Sequence, residues 1–128
     1  MEADDDLLPE PNSKGLLDLT NRAWVNLDPG LWDFAVSLVV LDVSYNHIHE
    51  IPPQIGQLVL LKEFRASFNK ITALPAEMGR LKRLRVLNVN SNRLTKLPPE
   101  LGRLEQLEEI NASENMLEGI PNSVALCP

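Results

Sequence analysis

Apolar residues along this chain return to the same phase every 23 residues. Leu38, Leu61, Leu84 and Leu107 form one column, and Leu41, Phe64, Leu87 and Ile110 a second. Ile48, Ile71, Leu94 and Leu117 form a third, Ile51, Leu74, Leu97 and Ile120 a fourth, and Ile55, Met78, Leu101 and Val124 a fifth. Two further columns are not aliphatic: Asn46, Asn69, Asn92 and Asn115, then Pro52, Pro75, Pro98 and Pro121. Columns kept in phase over four copies mark an internal repeat, and the repeat must be read before any local structure.

Each copy follows L-x-x-L-x-L-x-x-N-x-L-x-x-L-P-x-x-L-G-x-L-x-x, and Leu84 to Gln106 fits it with one valine substitution. Leu84, Leu87 and Val89 alternate about a short strand, which puts their side chains on one face. The ninth-position asparagine lies where the strand ends and turns; its amide can donate to and accept from backbone groups left unpaired by the turn. Proline then fixes φ and removes an N–H that has no ladder partner. The x-x-L-G-x-L segment spaces two apolar residues for a single helical or 3₁₀ turn. One unit cannot bury its own apolar face. Stacked units predict a parallel concave sheet, an irregular or 3₁₀ convex side, and one continuous aliphatic core.

A looser copy comes first. Leu17, Leu19, Trp24, Leu27, Pro29 and Leu31 match Leu41, Val43, Ile48, Ile51, Pro53 and Ile55, with Arg22 at the asparagine position and one extra residue before Leu38. Terminal repeats are atypical because one face meets water. Residues 14–37 therefore read as an N-terminal capping repeat, with Trp24 and Trp32 over the open core. Residues 38–60, 61–83, 84–106 and 107–128 read as four full repeats, and residues 1–13 as an acidic disordered tail. Ala66 and Ala112 thin the core, and Phe64 compensates the first. Cys127 falls on the column of Leu58, Leu81 and Leu104. With no polar cap after it, the last leucines are expected to face solvent, as in the N-terminal piece of a longer protein.

The L-P-x-x-L-G-x-L arc, repeated over residues 38–126, resembles the intracellular leucine-rich-repeat proteins of the Ras-group type, and LLDLTNR resembles their first repeats. The resemblance implies a right-handed solenoid of the α/β class, used for protein–protein interaction and commonly in signalling. A small GTPase or another signalling protein is then the candidate partner class.

Composition narrows this further. The chain has 128 residues, 44% apolar and 23% charged, a balance suited to one soluble domain. A single cysteine excludes an intrachain disulfide and favours a reducing compartment; the acidic N-terminus does not resemble a signal peptide. No apolar run reaches the length of about 20 residues that spans a bilayer, so membrane insertion is not expected. Cytoplasmic localisation follows. The net charge of −6 argues against nucleic acid, but its distribution is uneven: Lys62 to Arg103 is basic, and both flanks are acidic.

The candidate binding residues come from strand positions 3, 5 and 7 and from lip positions 8 and 10. Position 5 carries Asp42, Arg65, Asn88 and Asn111; position 7 carries Ser44 and Asn90; position 8 carries Tyr45 and Phe68; position 10 carries His47, Lys70 and Arg93. Tyr45 and Phe68 on successive rungs beside cations have the chemistry of an interface hot spot. Phe68 has an alternative in folding over the strand ends as core. Lys62, Arg65, Arg85, Lys70 and Arg93 together suggest an acidic partner. Arg80-Leu-Lys-Arg-Leu-Arg85 has the composition of a nuclear-import run, yet its leucines fall on core columns.

No catalytic arrangement is legible. His47, His49 and Glu50 do not meet zinc spacing, Cys127 lacks a histidine partner, and no phosphate-binding glycine loop occurs. Neither enzyme activity, cofactor nor metal is expected. The leading reading is an adaptor that binds a protein on its concave face. The alternative is the recognition arm of a larger enzyme such as a kinase, phosphatase complex or ubiquitin ligase.

Overall fold

The computed structural model describes residues 8–119. The expectations placed on Asp4-Asp5-Asp6, Ile120, Pro121, Val124, Ala125 and Cys127 lie outside them.

Five three-residue strands form a single parallel sheet in chain order: β1 (Leu16–Asp18), β2 (Val40–Asp42), β3 (Glu63–Arg65), β4 (Val86–Asn88) and β5 (Glu109–Asn111). The register sets Leu17 beside Leu41, Leu41 beside Phe64, Phe64 beside Leu87 and Leu87 beside Ile110. The repeat's columns are therefore rows of touching side chains. Among the described residues four 3₁₀ helices form the opposite side: η1 (Pro29–Phe34), η2 (Pro53–Gln57), η3 (Ala76–Arg80) and η4 (Pro99–Arg103).

Three of the four arcs begin at the proline of the repeat column, and η1 begins at Asp28, whose side chain accepts from the Gly30 N–H. Pro52, Pro75 and Pro98 are extended at the N-caps of η2, η3 and η4. Their carbonyls accept from the N–H groups of Ile55, Met78 and Leu101, which are themselves buried. The glycine that follows has a packing reason. A Cβ on Gly56 would sit 2.9 Å from the Glu77 carbonyl oxygen, and one on Gly79 2.8 Å from that of Glu100. Adjacent arcs stack backbone against backbone there, closer than a methyl group allows.

The core between sheet and arcs is aliphatic and continuous from Leu17 to Leu107. Phe64 is its largest fully buried side chain, and Ala66 is fully buried on the same strand segment. At about 1.5–3 kcal/mol for each buried leucine, isoleucine or valine, this row is the dominant stabilising term.

The first repeat closes one end. Leu8, Trp24, Trp32, Phe34 and Ala35 are partly buried against the core. Here the sequence expectation needs correction, because residues 8–13 are not a free tail. The Asn12 side-chain oxygen accepts from the N–H groups of Lys14 and Leu16 at 2.9 and 3.0 Å, and Asn12 N–H donates to the Leu16 carbonyl. Polar composition had suggested disorder, but Leu8 supplies the apolar contact and Asn12 the turn. Gly15, at φ +78°, completes that turn; any Cβ there would meet the Ser37 carbonyl at 2.5 Å.

Candidate functional site

The ninth-position asparagines are structural. Asn69 is nearly buried; its side-chain oxygen accepts from Ile48 N–H at 3.0 Å, and its NH₂ donates to the carbonyls of Val43, Ala66 and Ser67. Asn92 repeats the pattern with Ile71 N–H and the carbonyls of Ala66, Val89 and Asn90. Asn115 serves Leu94 N–H and the carbonyls of Val89, Ala112 and Ser113. Asn46 accepts from two groups, the N–H of Arg22 and of Trp24, and so ties the capping repeat to the next. Burying a turn without these bonds would leave backbone groups unpaired in a low-dielectric core.

Position 5 of the concave face is also engaged. Asp18, Asp42, Asn88 and Asn111 each accept, through Oδ1, the N–H of the residue two further on: Thr20, Ser44, Asn90 and Ser113. These Asx turns end the strands. The Thr20 N–H and then its hydroxyl hold the Asp18 carboxyl below its ordinary value. Arg65 cannot accept. In its repeat the Ser44 hydroxyl oxygen takes the Ser67 N–H at 3.0 Å instead, while Arg65 pairs with Glu63 at 2.8 Å. Ser44 is therefore only 5% exposed, and its placement among partner-facing residues is corrected. Its hydroxyl replaces the missing side-chain acceptor. Asn90 is half-buried, with Oδ1 enclosed.

The basic middle divides as well. Arg85 is bound to Glu108 through two contacts, at 2.7 and 3.3 Å, which hold the Glu108 carboxyl below its ordinary value. Lys62 and Arg85 precede β3 and β4, Arg65 ends β3, and Lys70 and Arg93 follow those strands, so the five cations are spread along the strands. Lys70 and Arg93 make no ion pair among the described residues.

The lip carries the exposed aromatic side chains. Tyr45 and Phe68 are 53% and 49% exposed, with ring centroids 4.7 Å apart and planes within 8°. The two readings of Phe68 resolve as a surface stack. The backbone explains the direction: Tyr45 and Phe68 have φ of 60° and 55°, as do their column-mates Asn21, Ser91 and Glu114 at 56–57°. This left-handed conformation is unfavourable for bulky side chains, by about 1–2 kcal/mol each. It is held by the ladder, since Tyr45 N–H donates to the Ser67 carbonyl and Phe68 N–H to that of Asn90. Nothing in the residue types at position 8 announces it; Asn21 alone belongs to the types that favour it. Position 10 follows on the far side of the inward asparagine, with His47, Lys70 and Arg93 donating their backbone N–H to the preceding repeat. A shallow depression of about 420 Å³ opens beside the stack, lined by Asn21, Ala23, Tyr45, Asn46, His47 and Phe68.

Among the described residues no group of three His, Cys, Asp or Glu side chains is placed to hold a metal ion. No helix among them is long and apolar enough to cross a membrane.

Comparison with known proteins agrees with the solenoid. A leucine-rich-repeat protein of Leptospira interrogans superposes with a TM-score of 0.69 at 28% identity, over 88% of this chain and 35% of that one. A chain of the BIR3–SERK2 complex from Arabidopsis thaliana superposes at 0.74 with 31% identity, over 85% of this chain and 61% of that one. This chain thus spans less than two thirds of either structure. No curated protein sequence matches it. The family model described as leucine-rich repeat region matches residues 26–125, and the chain belongs to that leucine-rich-repeat family.

Proposed function

We propose that the chain is a protein-interaction module that engages its partner along the lip of the solenoid, centred on Tyr45 and Phe68. The stacked pair carries this reading. Two large rings are left half exposed on a backbone conformation that disfavours them, and strain of this kind collects at binding sites. Stacked aromatics beside cations are also the residue types that dominate interface energetics. The inner sheet offers less, because four of its position-5 side chains accept from their own turns and the fifth, Arg65, pairs with Glu63. Family membership supports the same class of function, and one of the similar structures is a protein complex.

Within that class, we read the module as an adaptor in cytoplasmic signalling, with a small GTPase or another signalling protein as partner. The test is quantitative affinity capture with the intact chain and with Tyr45→Ala/Phe68→Ala. Proteins retained by the first and lost from the second, at matched thermal stability, support the reading. Identical retained sets would sink it.

A further inference from the structure

Resting on the lip as the binding face, we infer that its occupant is an extended acidic segment of another protein. In that segment an apolar side chain precedes or follows two carboxylates by about two to three residues.

Three features of the lip converge on this chemistry. The depression lies where Ala23 leaves room beside the larger Tyr45, and the rings of Tyr45 and Phe68 line it. It is open to solvent, and the two rings and Ala23 give it an apolar wall against which an apolar side chain can pack. The second feature is charge. Lys70 stands on the rung of Phe68 and Arg93 on the rung after it, and neither is held by a carboxylate among the described residues. Both belong to the basic stretch from Lys62 to Arg103 on a chain of net charge −6, so this part of the lip departs from the overall sign. The third is the boundary. The rung after Arg93 presents Glu114 and Met116, so a longer acidic run would meet a like charge.

Spacing follows from the ladder. Rungs of a parallel sheet are about 4.8 Å apart, and the depression is centred on the Tyr45 rung, which sets Lys70 and Arg93 about 5 and 10 Å from it. An extended chain advances about 3.3 Å per residue, so these distances are crossed in about two to three residues. Such a segment runs across the strands. It meets ring, then ammonium, then guanidinium, and the exposed charges steer its approach.

The experiment is phage selection of random peptides on the immobilised chain, followed by fluorescence anisotropy of a synthesised winner. Selected peptides are expected to carry paired Asp or Glu at the stated distance from an aliphatic or aromatic residue. Affinity of that peptide should fall about tenfold on Lys70→Glu/Arg93→Glu, and less on Lys70→Gln/Arg93→Gln, with Tm unchanged. Selection on the reversed variant should return basic peptides. Basic or uncharged winners on the wild-type chain, or no enrichment above bare support, overturn the inference. Binding that needs Tyr45 and Phe68 but ignores Lys70 and Arg93 also overturns it, and leaves the lip reading standing. Binding indifferent to all four overturns both.

Discussion

Removing one ladder asparagine does less damage than its hydrogen-bond count suggests, and removing two neighbours does more. In Asn69→Ala, three carbonyls lose a donor, yet none is orphaned. Val43 is still served by Asn46, Ala66 by Asn92, and Ser67 by the Tyr45 N–H. Only the buried Ile48 N–H loses its acceptor. One unsatisfied buried N–H costs about 1–3 kcal/mol, and the expected loss for Asn69→Ala is about 2–3 kcal/mol. Asn92→Ala behaves alike, orphaning Ile71 N–H, while Asn69 keeps Ala66 and Asn115 keeps Val89.

The double variant differs because Ala66 is shared. With Asn69 and Asn92 both gone, its carbonyl has neither donor, and a second kind of orphan appears. The double loss should exceed the sum of the singles by about 1 kcal/mol or more. Asn46 and Asn92 have no common carbonyl, so Asn46→Ala/Asn92→Ala should be additive within about 0.5 kcal/mol. Urea unfolding with an unchanged m-value measures all six quantities, and a constant m guards against loss of cooperativity along the repeats. Additivity in the Asn69/Asn92 cycle, or coupling as large in the Asn46/Asn92 control, would refute the shared-acceptor argument.

Gly79→Ala should destabilise by about 1–3 kcal/mol through overpacking against the Glu100 backbone, while Gly119→Ala, with nothing within 4 Å, should not; thermal melts separate them. Phe68→Asn relieves a left-handed bulky residue but gives up half a ring's burial and a stacking contact, so stability should stay within about 1 kcal/mol of wild type while partner capture falls. A loss above about 3 kcal/mol would instead mark Phe68 as core. Asp18 has a lowered folded-state pKa, so its contribution is present above the unfolded-state value and lost as pH falls through the folded one. The Tm gap between wild type and Asp18→Asn should accordingly shrink below about pH 4, and a gap that widens there would contradict the Thr20 contact.

Much of this molecule is legible from spacing alone. A 23-residue phase in leucine, asparagine and proline can be met only by stacking, because one copy has an apolar face and no second layer to cover it. Strand and arc positions, the inward columns and the ninth-position asparagines follow from that constraint. Which polar residues are free does not follow. Asp42 and Asn88 look available until their own turns claim them, Ser44 until Ser67 does, and Arg85 until Glu108 from the next repeat stands 2.7 Å away. The repeat phase places Tyr45 and Phe68 on the lip, but the left-handed backbone that holds them there, bonded to adjacent rungs, is not encoded in a residue pattern. Periodicity along the chain determines what must be buried; hydrogen bonds between repeats decide which of the remaining side chains are left to bind.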